Sequence, residues 1–167
     1  MCVTFLDRNH LKSRRIGMEK IDFVLTWVNG SDPDWLAQSR EYQPGRGTDA
    51  GESRYRDWDN LQYWFRGVEK FAPWVNKIYF VTWGHVPKWL NTAHEKIQIV
   101  KHEDFMAPAY LPTFNINSIE LNLHRIKGLS EHFVFFNDDM FLIDSVRPED
   151  FFKNGFPCDC CIETALV

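Results

Sequence analysis

Four short apolar runs, separated by segments of helical period or dense turn residues, confine this chain to a small set of architectures. Residues 21–28 are β-branched and aromatic and close on Asn29-Gly30, the pattern of a buried strand ending in a turn. Residues 77–82 and 96–101 form two more such runs, the latter with clear alternation. A fourth, 132–136, leads straight into Asn137-Asp138-Asp139. Between the first two runs, Ser31 or Asp32 is placed to cap a short helix with Pro33 in its first turn. Trp58, Leu61, Trp64, Phe65 and Val68 then recur at helical spacing, with Asp57 as a cap and Pro73 just beyond the end. Pro87 to Leu90 suggests one helical turn, and Ile119, Leu123 and Ile126 form the apolar stripe of a helix over 116–127 that stops at Gly128. Strands alternating with helices imply crossover units, hence an α/β fold with a largely parallel sheet flanked by helices.

At 167 residues and 44% hydrophobic composition, the chain is long enough to bury one sizeable core. Residues 1–20 are polar and basic and read as a flexible extension, leaving 21–167 as one domain without internal repeats. The stretch 43–54, with Pro44, Gly45, Gly47 and Gly51, reads as a surface loop. A net charge of −4 argues against a general nucleic-acid-binding surface, which needs a basic excess. No run approaches the roughly 20 apolar residues of a membrane span, and no apolar signal core is present. Cys2 and the crowded Cys158, Cys160 and Cys161 do not spread as a disulfide framework would, and they match zinc spacings poorly. These features point to a cytoplasmic, reducing location, compatible with peripheral contact at the inner face of a membrane.

In open α/β sheets, ligands collect outside the carboxyl ends of the strands. Two of those ends carry polar, turn-prone clusters: Asn29-Gly30-Ser31-Asp32 and Asn137-Asp138-Asp139. Adjacent carboxylates at Asp138 and Asp139 repel, and a hard divalent cation such as Mg²⁺ or Mn²⁺ would keep both ionised. An Asp-rich turn capping the next segment is the alternative. On the helix over 116–127, Glu120 and His124 stand four apart, either as a general base with its orienting partner or as a solvated surface pair. Arg54 and Arg56 flank Tyr55 just before Asp57, an arrangement suited to phosphate oxygens or to ordinary surface exposure. Trp27 can stack a nucleobase or belong to the core; Trp58, Trp64, Trp74, Trp83 and Trp89 divide between core and acceptor platform. His85 and His102 are isolated in sequence and read as structural or surface residues.

Taken in order, these segments resemble a known family. Residues 21–32 resemble the first conserved region of the Stealth sugar-1-phosphate transferases. Arg54-Tyr55-Arg56-Asp57, Pro87-Lys88-Trp89-Leu90-Asn91, Leu111-Pro112-Thr113-Phe114-Asn115, Ile119-Glu120, His124-Arg125-Ile126 and Phe136-Asn137-Asp138-Asp139 are similar to the second. The resemblance implies a Rossmann-like fold akin to the nucleotide-sugar glycosyltransferases. It implies a UDP-hexose donor, a polysaccharide or glycan acceptor, and metal-assisted transfer of hexose-1-phosphate with release of UMP. By position, Glu120 and Asp139 match family active-site acids, His124 stands beside the first, and Asp138 shares the acidic metal motif. Trp27, Asn29, Gly30 and Asp32 match the region associated with the nucleotide, and Arg54, Arg56 and Asp57 open the second block. The family's two further regions, which supply a His and an Arg, have no counterpart before Val167, so the chain is expected to be an N-terminal part of the enzyme. A metal-dependent glycosyltransferase releasing UDP, and a non-catalytic nucleotide-sugar-binding fragment, are the alternatives.

Overall fold

The structure, a computed structural model, describes residues 20–42 and 58–159. The chain runs through β1 (Ile21–Trp27), α1 (Pro33–Tyr42), α2 (Leu61–Phe71), β2 (Ile78–Thr82), β3 (Ile97–Lys101), α3 (Ile116–Glu120) and β4 (His132–Phe136). A short helix, α4 (Pro148–Phe151), and a small hairpin of β5 (Phe152–Lys153) and β6 (Phe156–Pro157) follow. The first four strands make one sheet in the order β3-β2-β1-β4, every neighbouring pair parallel. This is the α/β, Rossmann-like arrangement expected from the sequence. Phe23 is its centre, opposite Ile78 on one side and Val134 on the other.

Alternate residues of β1 feed two cores, as the two-residue period of a strand requires. Ile21, Phe23 and Leu25 pack with Leu61, Trp64 and Val68 of α2. Val24, with Tyr79, Val81 and Val100, faces Ile119, Leu123 and Ile126 on the other side. The first core is aromatic: Phe23 lies 4.8 Å from Phe136 and 5.7 Å from Trp74 between ring centroids. Burying side chains of this size stabilises the fold by about 1.5–3 kcal/mol each.

At the amino end of the sheet, Asp22 is fully buried and fully used. Its Oδ1 accepts from Asn76 Nδ2 at 2.6 Å and from the Lys77 amide at 3.0 Å, and its Oδ2 accepts from the Ser130 amide at 2.7 Å. One carboxylate thus ties β1 to the segments that enter β2 and β4.

Two local expectations change. Trp58 does not join the helical stripe, because Asp59 adopts a left-handed φ of 51° and α2 begins only after its cap residue Asn60. The predicted cap Asp57 lies outside the described residues, as do residues 1–19 of the predicted extension, the predicted loop at 43–54, Cys2, Cys160 and Cys161. The helix over 116–127 is also not continuous. After Leu121, whose amide still donates to Asn117 O at 3.0 Å, the hydrogen bonds tighten to i−3, from Asn122 to Ile119 at 3.0 Å and from Ile126 to Leu123 at 3.0 Å. Asn122 Nδ2 takes the Ser118 carbonyl at 2.8 Å, in competition with the α-helical ladder, and a 3₁₀ turn at Leu123–Arg125 results. Ile119, Leu123 and Ile126 are buried all the same.

Gly128 ends this segment at φ +86°, where its carbonyl accepts from the Tyr79 hydroxyl and an added Cβ would lie 3.4 Å from that oxygen. Gly128→Ala is expected to cost about 1–2 kcal/mol, the penalty of a left-handed residue with a side chain. Urea denaturation would read this as a lower midpoint at unchanged slope; an unchanged midpoint would contradict it.

Candidate active site

From β1 the sheet grows toward β2 and β3, and then the chain returns to place β4 on the other flank of β1. The loops leaving β1 and β4 therefore diverge at their carboxyl ends, and a crevice opens between them. A cleft of about 570 Å³ occupies this position. Trp27 and Val28 from the end of β1 and Asn137, Asp138 and Asp139 from the end of β4 form part of its wall. The second polar cluster singled out in the sequence thus lines the cleft, together with the two residues that lead into the first; Asn29, Gly30, Ser31 and Asp32 themselves are not part of its wall.

The β1 loop is built by short-range hydrogen bonds. Asp32 caps α1, with Oδ1 accepting from the amides of Asp34 at 3.0 Å and Trp35 at 2.9 Å. Asn29 Oδ1 accepts from the Ser31 amide at 3.1 Å, which folds the turn around Gly30. Trp27 is half-buried, stacked on Phe80 at 5.7 Å, and lines the cleft, so it serves the core and the site together.

On the other wall, Asp138 and Asp139 are the exposed central residues of a turn closed by the Met140 amide donating to Asn137 O at 3.2 Å. No helix follows them until α4, so the pair does not cap a helix among the described residues. Among the described residues no group of three or more His, Cys, Asp or Glu side chains is arranged to hold a metal ion. Two adjacent carboxylates facing a cleft still suit a hard cation such as Mg²⁺, which usually takes one or two carboxylates and completes its shell with substrate phosphates and water.

Glu120 and His124 are not brought onto one face of a continuous helix. Glu120 is the half-buried last residue of α3, next to Ile119, which lines the cleft, while His124 is exposed on the following 3₁₀ turn. Neither lines the cleft itself. Arg54, Arg56 and Asp57 lie outside the described residues; the described chain resumes at Trp58, 71% exposed and on the cleft wall. Of the remaining tryptophans, Trp64 is core, and Trp74 is held by its Nε1 donating to Val146 O at 2.7 Å.

Two residues that the sequence reading set aside belong here. His102, directly after β3, lines the cleft, and burial, with His85 nearby, lowers its pKa to about 4. His85, three residues after β2, accepts from the Asn29 amide through Nε2 at 2.6 Å. Burial holds its pKa below the ordinary imidazole value, opposed by the Asp32 carboxylate. Their signal was position: both follow the carboxyl ends of strands, the rule already applied to β1 and β4.

Comparison with known proteins adds the family. The model of Stealth protein CR1, conserved region 1, matches residues 19–47, and that of Stealth protein CR2, conserved region 2, matches residues 54–158. A capsular polysaccharide phosphotransferase WcwK of Streptococcus pneumoniae is 57% identical over 142 residues, 84% of this chain and 43% of the relative. The receptor polysaccharide phosphotransferase WefC of Streptococcus oralis is 53% identical over 145 residues, 84% of this chain and 44% of the relative. The capsular polysaccharide phosphotransferase eps5J of Streptococcus thermophilus is 51% identical over 151 residues, 88% of this chain and 63% of the relative. The chain thus spans less than half the length of the first two. No helix among the described residues is long and apolar enough to cross a membrane.

Proposed function

The chain belongs to the Stealth family, and we propose that it carries the donor-binding half of a sugar-1-phosphate transferase acting in capsular or cell-surface polysaccharide synthesis. Its reaction transfers hexose-1-phosphate from a UDP-hexose to a glycan hydroxyl and releases UMP. The observation that carries this reading is the meeting of Trp27 and Val28, at the end of β1, with Asp138 and Asp139 across one cleft at the switch point of the sheet. Similar proteins named capsular polysaccharide phosphotransferases support the polysaccharide acceptor. Cytoplasmic location, with peripheral contact at the inner face of the membrane, is part of the same proposal.

Phosphoryl transfer depends mainly on alignment and charge neutralisation. Asp138 and Asp139 would hold the Mg²⁺ or Mn²⁺ ion, which when bound offsets negative charge developing on the phosphates. Trp27, on the cleft wall, offers an aromatic surface to the uracil, and the Asn29-Gly30 turn and Asp32, which follow it in the chain outside that wall, would border the nucleotide. Arg54, Arg56 and Asp57 complete the donor side in this reading. The acceptor oxygen forms a bond to the β-phosphorus as the bond from that phosphorus to UMP breaks, and the acceptor proton passes to Glu120 or His124. Glu120, beside Ile119 of the cleft wall, is the better placed of the two. Attack at phosphorus leaves the anomeric bond intact, so the sugar keeps its configuration.

Incubation of the full-length protein with Mg²⁺, a panel of UDP-hexoses and a capsule-type glycan, followed by nucleotide chromatography, tests this. UMP is expected. UDP would contradict it and favour glycosyl transfer from the same donor, and donor binding without either product would favour a binding module.

A further inference from the structure

The β1 loop is fastened by a residue that neither carries charge at neutral pH nor lies near the loop in sequence. Asn29 follows β1 beyond its last paired residue, Trp27, so its amide lies outside the sheet ladder. It donates instead to His85 Nε2 at 2.6 Å, across 56 residues of chain. His85 is itself anchored: its carbonyl accepts from the hydroxyl of buried Thr82 at 2.8 Å. Its ring meets the edge of Trp27 at 5.2 Å and tilts against Trp83 at 5.7 Å. Trp83 is tied to α1 by its Nε1 donating to Gln38 Oε1 at 3.1 Å.

We propose that His85 is a positioning residue whose neutral imidazole latches the Asn29–Asp32 turn in its donor-binding shape, so that acidification releases the turn and weakens donor binding. That the turn binds the donor rests on the function proposed above.

Because Nε2 accepts, the neutral ring carries its proton on Nδ1. That buried Nδ1–H has no hydrogen-bond partner among the described residues, and Asp32 Oδ2 stands 3.8 Å away. A second proton would have to sit on Nε2, pointing at the Asn29 N–H, so two donors would face each other and the bond would be lost. The resulting cation would also be drawn to Asp32, the cap of α1. Among the described residues, the charged and titratable groups facing the ring are Asp32 from the segment entering α1 and His102 from the end of β3; Trp27, Trp83 and Gln38 are neutral. Burial outweighs Asp32 and holds the His85 pKa below the ordinary imidazole value, in keeping with an Nε2 that accepts and does not donate. The latch is therefore complete above the ordinary imidazole pKa and is lost as pH falls through the lowered one.

The test uses the full-length protein and UDP-glucose as probe, since its diphosphate has no group that titrates near neutrality. Calorimetric titration from about pH 8 to about pH 5 is compared for the native protein, His85→Gln and His85→Phe. Gln offers a carbonyl oxygen to the Asn29 amide and does not titrate; Phe keeps the ring and removes the acceptor. Expected are a roughly tenfold loss of native affinity on acidification, near-native and flatter binding for His85→Gln, and a roughly tenfold loss at neutral pH for His85→Phe. An identical acid limb in native protein and His85→Gln, or native affinity in His85→Phe, overturns the proposal. Hydrogen exchange of the Asn29 amide, corrected for its intrinsic pH dependence, reads the latch without any ligand. Protection lost in His85→Phe and on acidification of the native protein, but kept in His85→Gln, supports the latch even if UDP-glucose binds to none of them. In that event only the donor assignment fails, whereas equal protection in all three overturns the latch itself.

Discussion

Asp139→Asn is expected to lower turnover of the full-length protein by roughly 100-fold or more while leaving its fold intact, the loss typical when a charge-holding group is removed from a transfer site. The side chain is exposed at the tip of the turn after β4, and the change preserves its shape. Nothing in the two cores depends on it. An amide is a poor ligand for a hard divalent cation and leaves diphosphate charge unbalanced at the cleft wall. The rate of nucleotide release, with thermal unfolding followed by circular dichroism, separates the two effects. Normal turnover by a well-folded variant would remove the basis for a metal at Asp138 and Asp139.

Asp22→Ala should have the largest effect on stability, about 3–5 kcal/mol, since it strips the acceptor from three donors inside the fold. Asn76 Nδ2 and the amides of Lys77 and Ser130 would all lose their partner. Against a typical domain stability of about 5–15 kcal/mol, that is enough to leave a substantial unfolded fraction near body temperature. Asp22→Asn keeps one acceptor oxygen and should cost less, because only part of the network then opposes donor to donor. Equilibrium urea unfolding of both variants checks this; a loss below about 1 kcal/mol for Asp22→Ala would mean that water replaces the carboxylate. The two aspartates lie at opposite ends of the sheet, so one set of assays distinguishes the chemical end from the structural end.

The strands were legible because their composition is strongly punctuated. Each predicted run agrees with its strand to within a residue, since the β-branched and aromatic residues are bounded by Asn29-Gly30, Trp83-Gly84, Asn137 or a flanking Lys. Strand order was not legible, because pairing β4 beside β1 depends on contacts more than 100 residues apart, such as Asp22 with Ser130. Helical period misled at Trp58, where the left-handed Asp59 breaks the stripe, and at Glu120 and His124, where Asn122 draws off the Ser118 carbonyl. Periodicity reports which residues are buried, and it does so for Leu123 and Ile126 whether the turn is α or 3₁₀.

For the site, the two loop clusters were visible as polar residues directly after apolar strands. Asp32 was visible as a cap, and the structure confirms that role. His85 was not, since nothing local to Gly84-His85-Val86 signals a bond to Asn29. Its part depends on the parallel pairing of β1 with β2, which sets Trp27 opposite Thr82 and so carries the two following loops to the same edge.

The most direct test of sugar-phosphate transfer follows the donor's β-phosphate. With UDP-hexose labelled at that phosphorus, the full-length protein, Mg²⁺ and a capsule-type glycan, label is expected in the glycan, in a form stable to phosphomonoesterase, with unlabelled UMP as the other product. Label retained in UDP while the glycan gains an unlabelled sugar would contradict attack at phosphorus.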